Sequence, residues 1–249
     1  MVVAGSAMLL APFAAFAQNT AAVNANVGAN AGANVRLDAN FCTNLSIAST
    51  KVETGVNDKD DTLNKNQTDR LAKVVQDRAD RDAKLQQTRT DSDGTRAAEF
   101  AKLNLKASTD AQKTAVATFQ ANMTAAISLR RSAVDAAIAS FRTSVSALIS
   151  SHQGSVNSAA TTFKNSVSAA VAQANSSCAA GVAPKTVRAT FIASIKAARQ
   201  QFSTDRKAQQ DLGPQVKALE ETKDAAITAA LNTFKASANQ ARIALKAAF

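Results

Sequence analysis

The chain has 249 residues, of which 46% are hydrophobic and 19% are charged, and it carries a net charge of +10 at pH 7. This composition excludes a disordered polyelectrolyte, and eight glycines and three prolines are too few for a turn-rich β-sandwich or barrel. One histidine, His152, and two cysteines cannot supply a His-rich metal centre or a four-cysteine zinc site. We therefore expect an all-α protein without a metal or cofactor.

Residues 1–17 are predicted to be a signal peptide. No charged side chain occurs before Arg36, and Ala15-Phe16-Ala17 has the small-x-small form that signal peptidase cleaves. The apolar run is shorter than the ~20 residues of a membrane-spanning helix. No Lys or Arg precedes the run, which departs from the usual signal-peptide pattern. The alternative is an uncleaved anchor or a buried N-terminal helix. We expect Sec-type export, with the mature protein secreted or held at the cell envelope.

A low-complexity segment of Asn, Ala and Gly occupies residues 18–41. It contains three successive four-residue repeats, each ending in Asn, at 23–26, 27–30 and 31–34. Its small side chains offer little apolar surface to bury, so we interpret the segment as a flexible tether.

Helix start and stop signals divide the rest of the chain into long segments. Thr50–Glu53 and Thr109–Gln112 both match a capping box, in which two side chains satisfy free backbone N–H groups at a helix N-terminus. Gly181 followed by Pro184 indicates the end of one helix and the start of the next. A Gly-Pro pair at 213–214 predicts a further break.

The predicted fold is an elongated antiparallel bundle of about three long helices, similar to a coiled coil. Residues 42–182 are expected to form a long helical hairpin, and 183–249 a third helical segment broken at 213–214. At 1.5 Å per residue, a helix of ~65 residues is ~100 Å long.

A 22-residue repeat is the clearest pattern in the sequence. Phe119, Phe141 and Phe163 are 22 residues apart, and the stripe positions follow each Phe in steps of four, four, three, four and four. Eleven residues per three turns keep such a stripe nearly parallel to the helix axis. We interpret it as the core seam of a helix bundle; the alternative is an apolar ligand groove. The predicted core residues are Phe119, Met123, Ile127, Val134, Ile138, Phe141, Val145, Ile149, Val156, Phe163, Val167 and Val171.

One position of the repeat departs from the apolar pattern. Eleven residues after each Phe stand Arg130, His152 and Ala174. We interpret His152 as a half-buried polar residue beside a bend near Gly154, and a pH sensor or ligand-binding histidine is the alternative.

Charge is distributed unevenly along the helical segments. Residues 51–110 carry 12 basic and 12 acidic side chains, whereas 111–183 carry only five basic and one acidic. A solvated helix face usually carries more charge than that. The Ala/Ser-rich middle helix is therefore predicted to contact a protein partner or a second copy of the chain.

The two cysteines are predicted to form a disulfide, because an exported chain with an even cysteine count favours one. Cys42 precedes the first helical segment and Cys178 ends the second. Their midpoint is residue 110, where the Thr109–Gln112 capping box begins a new helix. If the chain turns there, both cysteines lie at the same end of the hairpin. The alternative is two buried free thiols.

No motif in the chain points to an enzyme. It has no phosphate-binding loop, nucleophile elbow, dinucleotide fingerprint or EF-hand, so we predict no catalytic residue and no small-molecule substrate. Without Tyr, Trp or a compact Lys/Arg run, no nucleic acid is expected as a partner.

The sequence therefore favours a non-enzymatic structural or binding protein, a scaffold or spacer of the cell envelope or surface. Two alternatives stay open. One is a holdase-type chaperone, since the composition is similar to that of periplasmic holdases, without an alignable motif. The other is a peripheral membrane protein that binds lipid through a basic amphipathic helix.

Overall fold

The computed structural model describes residues 41–208 and 212–249. Of these residues 95% are helical, in four helices and without a strand, which confirms the all-α class. The helices are α1 (Phe41–Lys106), α2 (Asp110–Ala179), α3 (Pro184–Ala208) and α4 (Gly213–Lys246). The predicted signal peptide and nearly all of the predicted tether lie outside the described residues.

Helix α1 begins upstream of the predicted start at Thr50, so that prediction was wrong. The hydroxyl of Thr50 donates a hydrogen bond to the carbonyl oxygen of Ser46 at 2.9 Å, as in a helix interior rather than a cap. Phe41 and Leu45, one turn apart, are both fully buried. Burial of that face stabilises a helical conformation before Thr50, since packing outweighs local signals. The helix also continues through Gly94.

The connection between α1 and α2 carries the capping box predicted at Thr109–Gln112. The backbone N–H of Gln112 donates to Oγ1 of Thr109, and the N–H of Thr109 donates to Oε1 of Gln112, both at 3.2 Å. Ser108 adds its own N–H and hydroxyl to the same Gln112 oxygen, each at 3.0 Å. The side chain of Gln112 therefore stabilises the turn between α1 and α2 through hydrogen bonds.

Helix α2 ends in the way predicted from Gly181. This glycine has a φ of 73°, a left-handed conformation that a side chain would disfavour. The N–H of Gly181 donates to the Cys178 carbonyl and that of Val182 to the Ser177 carbonyl, each at 3.1 Å. These two bonds form a Schellman motif, after which Pro184 begins α3.

The chain divides into two compact units, each built from separate stretches of chain. Unit 1 holds the described residues up to Val74 together with Leu148–Gly213. Its core includes Phe41, Leu45, Val167, Val171 and Phe191, contributed by α1, α2 and α3.

Unit 2 holds Val75–Ala147 and Pro214–Phe249. Its buried residues come from α2, α4 and the connection between α1 and α2, and they include Val116, Ile127, Phe141, Val145 and Val216. Both long helices contribute to both units, so the units do not follow the order of segments along the chain.

The structure differs at the two places where a bend near Gly154 and a break at 213–214 were expected. Helix α2 continues through Gly154 without interruption. Helix α3 ends at Ala208, and α4 begins at Gly213 with Pro214 in its first turn, where the missing N–H of proline leaves no intrahelical bond unmade.

Candidate functional site

The two cysteines lie at one end of unit 1, joined by the predicted disulfide. Cys42 is in the first turn of α1 and Cys178 in the last turn of α2, and their Cα atoms are 5.6 Å apart. Phe41, next to Cys42, contacts the ring of Phe191 in α3 with ring centroids 5.9 Å apart. The disulfide therefore joins α1 and α2 beside an aromatic contact to α3.

The twelve stripe residues predicted as core all lie in α2, and none of them is exposed. Six are buried: Ile127, Phe141, Val145, Ile149, Val167 and Val171. Six are half-buried: Phe119, Met123, Val134, Ile138, Val156 and Phe163.

The three repeat phenylalanines each contact a different helix. In unit 2 the ring of Phe119 meets Phe100 of α1 with centroids 6.0 Å apart, and Nζ of Lys223 in α4 lies 4.9 Å from the Phe141 ring centroid. In unit 1 the rings of Phe163 and Phe202 of α3 are 5.4 Å apart. The repeat thus places the same kind of side chain against three different helices.

The polar position of the repeat has two different environments. In unit 2 the guanidinium of Arg130 lies 4.5 Å from the ring centroid of Phe234. Desolvation, followed by the nearby charge of Arg131, lowers the pKa of Arg130. In unit 1 His152 is half-buried within α2, in the middle of a continuous helix.

The few charges of the middle segment are all engaged within their units. In unit 2, Arg131 contacts Asp93, Asp135 contacts Arg89, and Arg142 contacts Asp82. In unit 1, Nζ of Lys164 lies 3.0 Å from Oδ2 of Asp60. Lys113 pairs locally with Asp110, and Arg130 stacks on Phe234.

The ion pairs of unit 2 occur at equal intervals along α1 and α2. From Arg89 to Asp93 the chain moves four residues forward in α1, and their partners, Asp135 and Arg131, lie four residues apart in the reverse direction in α2. The pair Asp82–Arg142 follows the same rule. Sequence reasoning missed these contacts, although pairing opposite charges at equal distances from residue 112, within the Thr109–Gln112 capping box, could have found them.

Asp93 accepts three hydrogen bonds from two arginines. Both terminal nitrogens of Arg131 donate to its two carboxylate oxygens, at 2.8 and 2.6 Å, and Arg96 donates to Oδ1. The hydrogen bonds from Arg131 and then Arg96 hold the pKa of Asp93 well below its usual range. The bond from Arg142 likewise lowers the pKa of Asp82.

One local ion pair suggested by spacing has a different geometry. Asp77 and Arg81 are four residues apart, which favours a side-chain pair. Instead, Nε of Arg81 donates to the backbone carbonyl of Asp77 at 2.9 Å. The backbone oxygen competes successfully because it is fixed by the helix, whereas holding a carboxylate in place costs side-chain entropy.

A shallow groove of about 280 Å³ lies over the ion pairs of unit 2. It is lined by Asp82, Leu85, Gln86, Arg89, Asp135, Ile138, Ala139 and Arg142. Four of these side chains are the two ion pairs themselves, so the charges that line the groove already neutralise one another.

Between residues 41 and 208 and from 212 onward, no three His, Cys, Asp or Glu side chains cluster in a way that could hold a metal ion. Within the same ranges, no helix combines the length and the hydropathy that crossing a membrane requires.

Comparison of the chain with protein families, curated proteins and solved structures gives no significant match.

Proposed function

We propose that the protein is an exported, non-enzymatic spacer or scaffold of the cell envelope or surface. The observation that carries this proposal is the engagement of α2: no stripe residue is exposed, and every charge between residues 111 and 183 contacts a side chain within its own unit. A helix with this arrangement serves the integrity of its own bundle. Contacts of its stripe and charged side chains within the bundle support a structural role rather than the binding of a substrate.

The finer architecture that fits this function is an antiparallel bundle with an eleven-residue repeat. The equal and opposite steps of the ion pairs between α1 and α2 support antiparallel helices in unit 2. Contacts between α2 and α4 support the same sense, because from Phe141 to Arg130 the partners run from Lys223 forward to Phe234. Eleven residues separate both members, which is one full repeat.

Solution scattering on the full chain tests the proposal that the protein is a spacer. If the long helices set the particle length, the radius of gyration is roughly 30 Å, as for a rod ~100 Å long. A compact protein of this size has a radius of gyration of about 18 Å, and that value contradicts the proposal.

An aggregation assay separates the spacer from the holdase alternative. A chaperone must offer apolar surface to an unfolded client, whereas the stripe is covered within the units. We expect the full chain to leave the aggregation of a denatured client protein unchanged at equimolar concentration. Suppression of aggregation by wild type, and its loss in a variant at exposed Leu129, favours the chaperone.

A partner interface on the middle helix belongs to the same proposal. Exposed residues of α2 at helical spacing are mostly small, and Leu129 projects among them with 69% of its surface exposed. The exposed residues that form this face are Thr118, Ala125, Leu129, Ser132, Ala136, Ser140 and Thr143. Small side chains allow close helix approach, so this face is proposed to contact a second copy or a partner protein. Light scattering and crosslinking test it.

A further inference from the structure

The second half of α4, together with the three residues that follow the helix, is basic and has no acidic side chain. Residues 225–249 contain Lys235, Arg242 and Lys246 and no Asp or Glu. At 100° per residue, steps of seven and four place the three cations within about 40° of one another on the helix surface. The core side of this stretch is marked by the buried residues Ala230 and Ala241.

Apolar side chains project on the exposed side of the same stretch. Ile243 is 60% exposed, directly after Arg242 and one turn before Lys246. Phe249 is 58% exposed and Leu231 37%. Ile243 and the three cations give this exposed surface both an apolar and a basic character.

These cations are not neutralised within the described part of the protein. The ion pairs of α4 are confined to its first half, where Lys217 meets Glu221 and Lys223 meets Glu220 and Asp224. Arg242 donates a 3.3 Å hydrogen bond to Oδ1 of Asn239, which leaves its charge uncompensated. The helix dipole favours a cation at Lys246 but explains neither Lys235 nor the exposed Ile243.

We propose that the outward face of the second half of α4 is a binding surface for an anionic lipid bilayer. Cations attract the negative headgroups, and Ile243, Leu231 and Phe249 enter the boundary between headgroups and acyl chains. The contact is interfacial, with the helix lying on the bilayer. This surface goes beyond the spacer function and does not depend on it.

Charge and shape favour a bilayer over two other occupants. A second copy related by a two-fold axis would set the three cations of one chain near those of the other, which is repulsive. A nucleic acid would use the cations, but exposed Ile243 and Phe249 gain nothing from its phosphates. An anionic bilayer satisfies both kinds of side chain at once.

Vesicle co-sedimentation of the full chain tests the proposal. We expect binding to vesicles with about one-third anionic phospholipid, none to purely zwitterionic vesicles, and release at ~1 M salt, where the Debye length is about 3 Å. Since one cation near such a surface contributes about a factor of five, R242Q and K246Q each weaken binding about fivefold and together ~25-fold. Ile243→Ser weakens it by a similar factor.

Two matched variants serve as controls. Lys217→Gln removes a paired cation from the first half of the same helix, and Leu105→Ser removes an exposed apolar residue from α1. Both are expected to bind like wild type. Equal binding to zwitterionic vesicles, absence of binding, or unchanged binding of the double charge variant overturns the proposal. So does self-association without lipid that Ile243→Ser abolishes, or capture by nucleic acid alone. Loss of lipid binding alone leaves the scattering test of the spacer unaffected.

Discussion

Arg131 of α2 donates two hydrogen bonds to Asp93 of α1, at 2.8 and 2.6 Å, although the two residues are 38 positions apart on opposite sides of the turn between the helices. Arg96 donates to the same carboxylate from the adjacent helical turn. A carboxylate held by two guanidinium groups favours its ionised form in the folded state. This relationship ties stability to pH at a defined place in unit 2.

Asp93 is therefore expected to make the protein less stable in acid. Its folded pKa lies below its unfolded value of about 4, so the contribution is present above pH 4 and is lost as pH falls through the folded pKa. Melting curves between pH 2 and pH 7 should show a smaller decrease in Tm for D93N than for wild type. Asp61→Asn, at an exposed carboxylate of α1, should behave like wild type. Identical acid profiles for D93N and wild type contradict the prediction.

The Cys42–Cys178 disulfide should stabilise the fold mainly by restricting the unfolded chain. The cysteines are 136 residues apart, and loop closure of that size contributes at most ~4–5 kcal/mol in the chain-entropy model. Denaturant unfolding with and without reductant measures the difference. Reductant should not affect the double variant C42S/C178S. Free thiols at both positions in oxidising conditions, found by mass spectrometry, contradict the prediction.

Phe141 should be among the most sensitive positions of the stripe. It is buried in unit 2 and its ring faces Nζ of Lys223, so Phe141→Ala removes both packing and a cation–π contact. We expect a loss of ~3–5 kcal/mol in the free energy of unfolding, measured by denaturant titration. Leu129→Ala, on the exposed side of the same helix, should change it by less than about 0.5 kcal/mol. Equal effects of the two substitutions would return the stripe to the ligand-groove interpretation.

The pairing of Asp82 with Arg142 can be tested by exchanging the charges. D82R and R142D each place like charges together, and the double variant restores an opposite pair at the same site. Because both side chains are partly exposed, we expect a coupling free energy of only about 0.2–1 kcal/mol in a double-mutant cycle. Pairing D82R with R131D instead, at a site that Asp82 does not contact, should show no coupling.

The small-residue face of α2 should govern any self-association. Light scattering at micromolar concentration is expected to show a mass above that of one chain, and A125E with S132E should reduce it to the monomer. A matched pair, T62E with T68E on the exposed side of α1, should leave the mass unchanged. A strict monomer, with no partner crosslinked through residues of this face, removes support for the interface.

Local signals in the sequence determined the helix ends that depend on local chemistry. The Thr109–Gln112 capping box and the Gly181–Pro184 stop and restart act through hydrogen bonds and dihedral preferences within a few residues, and both are present. The disulfide between Cys42 and Cys178 also followed from counting residues around the turn. In each case the determining interaction is short in sequence or set by chain length.

Tertiary packing determined the helix start and the ion-pair partners that local interactions do not specify. Helix α1 starts at Phe41 because that ring is buried against Phe191, a residue far along the chain. The partners of Asp93 and Asp82 lie in another helix, and the local pair expected for Asp77 and Arg81 did not form. Which of several carboxylates an arginine contacts depends on helix register and on burial of the neighbouring stripe, and both exist only once the helices have packed.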